Sequence, residues 1–154
     1  MEIKHLLAQL ELSFSGKPAW KGHAWHGPSV MAMLEEVTVE QATNRVAGSH
    51  SIVELVLHMV AWREFVTQRL KGNSNYRVAK EDNFPKAIPL AQAVEKLKQS
   101  QGDLVGALTS FPTEKLGEMV DNKGYDFLTM IEGIVHHDLY HTGQIALLKK
   151  VKAN

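Results

Sequence analysis

SIVELVLHMVAWREFVTQRLKG, at residues 51–72, is the stretch that decides the fold. Its apolar side chains recur every three or four residues, the period of one helical face. They are Ile52, Leu55, Val56, Met59, Trp62, Val66 and Leu70. Ser51 followed by Glu54 is a capping-box pattern that begins a helix, and Gly72 can end it. The stretch therefore predicts one long amphipathic helix.

The rest of the chain follows the same helical period. We predict three more principal helices, over 3–12, over 89–110, and from Asp126 or Thr129 to about Lys150. Shorter helical pieces are expected at 28–37, with Pro28 as first residue, and after a Thr38–Gln41 capping box. Residues 73–88 are polar and are expected to be irregular. The sequence predicts an all-α protein, a four-helix bundle in one domain over 1–154, with extra short helices between the first and second main helices.

Composition excludes several classes of protein. The chain has 154 residues, 17 basic and 17 acidic side chains, eight histidines and no cysteine. Zero net charge argues against a general nucleic-acid binder, and the lack of cysteine excludes thiolate nucleophiles, Fe–S centres and disulfides. The N-terminal residues lack the apolar core of a signal peptide, and no apolar run is long enough to span a membrane. We expect a cytoplasmic protein with neither nucleic acid nor membrane as partner.

Two histidines of the last predicted helix have metal-ligand spacing. His137 and His141 are four residues apart, so their side chains lie within roughly 40° of each other on the helix. Both share the side of Ile134 and Ile145. Such a pair can chelate one metal ion, although it can also be an ordinary hydrogen-bonded pair. A zinc site usually needs at least one further protein ligand.

His58 is the candidate for that further ligand. It lies on or beside the apolar face of the 51–72 helix, where a lone histidine is more often a core residue with its hydrogen bonds satisfied. If its face meets that of His137 and His141, one metal ion stabilises all three buried imidazoles. The other five histidines are expected to be structural or solvated: His5, His23, His26, His50 and His136. A loop with Trp20 and Trp25 is expected to be pinned to the bundle by its tryptophans, or else to line the mouth of the site or a dimer interface.

Neighbours of these histidines are candidates for supporting roles. Each ligating imidazole needs a partner for its second nitrogen. Spacing proposes Glu54 and Trp62, one turn either side of His58, together with Tyr140 and Gln144 near His141. Asp138 points about 100° away from His137 and is expected to be a solvated or inter-helix charge. No general base can be chosen from the sequence, so catalytic residues stay unassigned.

Two segments carry a family resemblance. HSIVELVLHMVAWREF (50–65) and IVHHDLYHTGQIALLKK (134–150) resemble the signature helices of the DinB/YfiT-like superfamily. The run at 140–145 is similar to that family's Y-H-x-G-Q-I stretch, and 27–42 also fits. The resemblance implies a bundle of up-down-down-up topology. It also implies a divalent metal held by one histidine on the second helix, here His58, and by an H-x-x-x-H pair on the fourth, here His137 and His141.

The resemblance also implies a class of activity. Some relatives are thiol-dependent enzymes that transfer bacillithiol to electrophiles, and a mycothiol-dependent maleylpyruvate isomerase shares the fold. By that likeness we expect a metal-dependent S-transferase, or a related hydrolase or isomerase, acting on a small electrophilic molecule. The cofactors would be zinc or nickel, or else iron, with an external low-molecular-weight thiol. The alternative is a non-catalytic, metal-stabilised bundle that serves as a stress-response binding or interaction protein. The family also often forms homodimers, so we expect a homodimer here.

Overall fold

The structure is a computed structural model that describes residues 2–17, 24–121 and 123–151. In those ranges the regular elements are helical, and the sole β contact is an isolated bridge between Met119 and Asp126. The predicted all-α fold class is confirmed. The helices are α1 (Ile3–Ser15), α2 (Val30–Leu34), α3 (Val39–Thr43), α4 (Ile52–Leu70), α5 (Lys80–Asn83), α6 (Leu90–Thr109) and α7 (Phe127–Leu148), with a 3-10 turn at Thr113–Lys115.

Helix ends follow the capping chemistry of the sequence in most places. Ser51 and Thr38 each form the complete capping box that was predicted, and Asp126 caps α7 by accepting from the Thr129 N–H. The prediction that Pro28 begins a helix is wrong. Ser29 caps α2 instead, because its hydroxyl accepts from the Ala32 N–H, and the helix begins only at Val30.

Two further boundaries differ from the predictions. The helix predicted at 3–12 continues to Ser15 and ends where Gly16 adopts a left-handed conformation with φ of 75°. The connection predicted to be irregular at 73–88 contains the one-turn helix α5. Its four residues, KEDN, are all polar and none is buried. The sequence therefore has no apolar period there from which a helix could be predicted.

Each of the four long helices contributes to two apolar clusters. One cluster joins the C-terminal halves of α4 and α6 to the N-terminal halves of α1 and α7. The other joins the opposite ends of the same helices, with α2 and α3 packed over it. Thus α4 and α6 run one way and α1 and α7 the other, which gives the expected up-down-down-up order. The middle turns of α4 and α7 meet between the clusters, and that level holds the site.

Two surface features complete the description. None of the described helices combines the length and apolar character needed to cross a bilayer. The tryptophan loop is not pinned as expected at Trp25, whose side chain is 99% exposed. Trp20 and His23 lie outside the described residues.

Candidate metal centre

Three histidine side chains from two helices converge on one point. His58 lies on α4, and His137 and His141 lie one turn apart on α7. Nε2 of His137 is 3.1 Å from Nε2 of His58 and 3.2 Å from Nε2 of His141. Two nitrogen ligands at ~2.0–2.1 Å from a tetrahedral metal lie ~3.3–3.4 Å apart, so this spacing is close to that of a metal's ligand set. The cluster can therefore hold a metal ion.

The hydrogen bonds at the back of two rings fix which nitrogen faces the centre. Nδ1 of His58 is 2.5 Å from the Asn83 carbonyl oxygen, and Nδ1 of His141 is 2.6 Å from the Gln144 amide oxygen. Both oxygens only accept, so each Nδ1 donates and each neutral ring presents an Nε2 lone pair to the centre. His137 has one Nε2 proton at most, and it can serve only one of these two acceptors. The three nitrogens cannot satisfy one another, whereas a metal ion would satisfy all three.

Burial keeps two of the rings neutral. His58 and His141 are each 6% exposed. Burial lowers the pKa of His58 to about 4, against the opposing hydrogen bond to Asn83 and with further lowering by His141, His137 and His50. Burial also lowers the pKa of His141, although its hydrogen bond to Gln144 opposes the shift. Neutral imidazole is the form that ligates a metal, so no proton has to be displaced near pH 7.

Asp138 joins the centre to the interior of the bundle. Asp138 and Arg63 are both wholly buried, and Nη2 of Arg63 is 2.6 Å from Oδ2 of Asp138. The other carboxylate oxygen is 3.6 Å from Nδ1 of His137. The contact with Arg63 is an ion pair, whereas the approach to His137 is longer than a hydrogen bond. Asp138 is thus an inter-helix charge, which was one of the two roles expected for it. It is not solvated, and its second carboxylate oxygen also approaches the His137 ring.

An aromatic stack supports His58 from the connection between α4 and α6. The Phe84 ring lies parallel to His58 at 4.1 Å between centroids, and His50 stacks on Phe84 at 3.5 Å. Sequence reasoning missed Asn83 and Phe84, because they follow a polar segment without a helical period. His50 had a weak signal, since it directly precedes the Ser51 cap of the helix that contains His58.

The four predicted supporting residues lie at different distances from the imidazoles. Gln144 bonds to His141, and the Trp62 indole donates to the Asn83 side chain at 3.0 Å beside the His58 and His137 rings. Tyr140 meets the His141 ring edge-on at 5.2 Å and is 66% exposed. Glu54 contacts Ser51 and Arg45 at the start of α4. Burial would raise the pKa of Glu54, but those two contacts hold it below its usual value.

Cavities open on two sides of the histidine cluster. The larger, about 550 Å³, is lined by His141 and Gln144 together with Phe84 and the end of α7. The smaller, about 220 Å³, is lined by His137 and Trp62. The centre is therefore next to spaces that a small molecule can enter. Of the remaining histidines, His5, His26 and His136 are exposed, and His23 lies outside the described residues.

Comparison with sequence models of protein families gave a match. The sequence model of the DinB superfamily matches residues 25–145, which include all three histidines of the cluster. Comparisons with curated proteins and with solved structures found no match.

Proposed function

Because the chain belongs to the DinB superfamily, we propose that His58, His137 and His141 hold a divalent metal ion and that the protein is a metal-dependent enzyme. The observation that supports the metal proposal is that the three Nε2 atoms cannot all form hydrogen bonds with one another. Two of them are acceptors whose Nδ1 protons are already donated, and they face a third at 3.1 and 3.2 Å. A bound cation satisfies all three.

The proposed reaction is the transfer of an external thiol to a small electrophile, or a related hydrolysis or isomerisation. Zinc, nickel or iron held by three neutral nitrogens keeps its full charge and lowers the pKa of a bound thiol or water. The thiol has to come from outside, since the chain has no cysteine. The chain's own residues hold the centre: Asn83 and Gln144 orient two imidazoles. Phe84 covers one face of His58.

Metal analysis of matched variants tests the centre. Wild type, dialysed after loading with zinc, is expected to retain about one equivalent, whereas His58→Ala and His141→Ala lose it. His136→Ala is the matched control, because this exposed histidine lies next to His137 on the same helix. The proposal is wrong if wild type and the two cluster variants retain the same small amount of metal, or if the control loses metal as they do.

A thiol-conjugation screen tests the reaction. The zinc and nickel forms are incubated with low-molecular-weight thiols and a panel of electrophiles, and loss of free thiol is followed. Turnover that His141→Ala abolishes and His136→Ala keeps supports an enzyme. A flat screen with a metal-loaded protein favours the alternative, a metal-stabilised bundle that serves as a stress-response binding or interaction protein.

A further inference from the structure

The larger cavity beside the histidine cluster has its own chemistry. It lies between the segment 46–50, Phe84 and the C-terminal half of α7, and it has a volume of about 550 Å³. That is within the range of pockets that hold small molecules, ~300–1,000 Å³. Its described lining residues are Val46, Ser49, His50, Leu55, Phe84, Tyr140, His141, Gln144, Leu147, Leu148 and Val151.

No Lys, Arg, Asp or Glu occurs among those lining residues. An anionic ligand that enters the cavity loses its hydration shell. Among the described lining residues, no Lys or Arg side chain is there to compensate for that loss. The amide oxygen of Gln144 already accepts a hydrogen bond from His141. The wall offers mainly aliphatic and aromatic surface.

The rim of the cavity leaves apolar side chains in water. Leu147 is 67% exposed, Val46 40% and Val151 36%, and the Tyr140 ring stands beside them. Exposed apolar surface gathered around a concave site is stabilised when an apolar molecule covers it. Because His141 is part of the same wall, such a molecule would lie next to the proposed metal.

We propose that this cavity binds the body of the electrophilic substrate, and that the substrates are uncharged, apolar molecules with an aromatic or aliphatic body. This inference rests on the proposed function, since it identifies the substrate class of the same site. The occupant is a small molecule and not a second copy of the chain, because the surface is concave and ends at the candidate metal ligand His141. The described lining residues disfavour a charged group on the substrate body, away from the proposed metal.

Two dyes that share a ring system test the proposal. N-phenyl-1-naphthylamine is neutral, and 8-anilinonaphthalene-1-sulfonate carries the same rings with an added anion. Both are titrated by fluorescence into the chelated protein, because a zinc ion bound at His141 would itself attract the sulfonate. The neutral dye is expected to bind at least ~10-fold more tightly, because the described lining residues include no Lys or Arg to pair with the sulfonate. Equal affinities, or tighter binding of the anionic dye, would overturn the proposal.

Variants at the rim locate the binding. Leu147→Asp is expected to weaken the neutral dye by ~5-fold or more, since it places a carboxylate in the apolar wall. The control is Met119→Asp, a comparably exposed apolar residue outside the cavity, which should leave the affinity unchanged. Circular dichroism verifies that both variants fold. Unchanged binding in Leu147→Asp, or equal weakening in Met119→Asp, contradicts the proposal.

Two more measurements distinguish ligand binding in the cavity from the metal proposal and from a contact between two copies of the chain. Wild type is expected to bind the neutral dye equally with zinc and after chelation, so the cavity result stands even if the metal proposal fails. Sedimentation of wild type and Leu147→Asp is expected to give the same oligomeric state. If Leu147→Asp dissociates an oligomer and its dye affinity is unchanged, the rim is a contact between copies and the proposal is wrong.

Discussion

At the scale of single residues, the centre depends on groups that hold the back of each imidazole. The Asn83 carbonyl does this for His58, and the Gln144 side chain does it for His141. A backbone carbonyl survives any substitution, whereas the amide of Gln144 can be removed without touching a proposed ligand. Gln144 therefore allows the effect of orientation on metal affinity to be measured.

Gln144→Leu is expected to lower the affinity for zinc by ~10–100-fold, because His141 loses the acceptor that fixes its tautomer and ring orientation. The measurement is competition against a zinc indicator dye. Gln99→Leu is the matched control, since this glutamine bonds only to Asp103 on the exposed face of α6. An affinity within twofold of wild type in Gln144→Leu would show that the hydrogen bond does not support the centre.

Burial of His58 also predicts how the metal-free protein responds to acid. The pKa of this ring falls from its ordinary 6.5 to about 4 on folding, chiefly through burial. The unfolded chain thus binds the proton at higher pH than the folded chain, and the stability present above pH 6.5 is lost as the pH falls toward 4. His141 has the same direction of shift.

Urea unfolding of the chelated protein measures this loss. Between pH 6.5 and about 4, the His58 ring takes up a proton when the chain unfolds. Each unit by which the pH falls in that range is expected to lower the free energy of unfolding by up to ~1.4 kcal/mol. His58→Gln replaces the ring by a group that does not titrate, so its unfolding free energy should depend less steeply on pH. Equal slopes in the two proteins would contradict the prediction.

At the scale of helices, one buried ion pair ties α4 to α7. Arg63 and Asp138 are wholly inside the protein, and Arg63 also donates to Gln101 on α6 and lies over the Phe14 ring of α1. One guanidinium thus contacts all three other long helices. Removing a single partner leaves an unpaired charge in the interior, which costs far more than removing both.

A double-mutant cycle tests this pair. Asp138→Asn is expected to lower the free energy of unfolding by ~3–5 kcal/mol, because Arg63 stays charged without its partner. The double variant Arg63→Met with Asp138→Asn should be more stable than the sum of the single losses implies. Urea unfolding of the four proteins gives the coupling energy, and strictly additive losses would mean that the pair is not a stabilising unit.

The helices were predictable where local chemistry determines them. The capping boxes at Ser51 and Thr38 and the apolar period of α4 depend on residues only a few positions apart. The same period placed His58, His137 and His141 on inward faces. Phe84 could not be found this way, because its position depends on a ring stack with His58 and not on its neighbours in the chain. For Asp138 the two expected roles could not be separated from the sequence, because the helical angle gives the direction of a side chain but not its buried partner on α4.

At the scale of the whole molecule, the centre belongs to a polar layer between two apolar clusters. That layer contains the three histidines, the Arg63–Asp138 pair and Gln101, while the clusters above and below it are aliphatic and aromatic. Without a cation, the layer contains imidazole nitrogens that cannot all be paired. The expected homodimer involves a second chain and stays a prediction.

Metal binding is expected to stabilise the whole fold. A ligand that binds only the folded chain adds about 2.7 kcal/mol at 100 times its dissociation constant. For a chain of this length, that raises Tm by roughly 5–10 °C. Differential scanning fluorimetry with and without zinc measures the shift. His136→Ala should keep it and His58→Ala should lose it, and a shift in both would indicate binding elsewhere.

The position of Trp62 makes its fluorescence sensitive to the metal bound at the centre. Its ring lies 6.3 Å from the His58 ring and 6.2 Å from the His137 ring. An open-shell ion such as nickel, held by those two rings, would quench the emission of Trp62, whereas zinc, with its filled d shell, would leave that emission bright. The chain therefore carries its own spectroscopic reporter, which distinguishes an open-shell occupant of the centre from a closed-shell one without any added label.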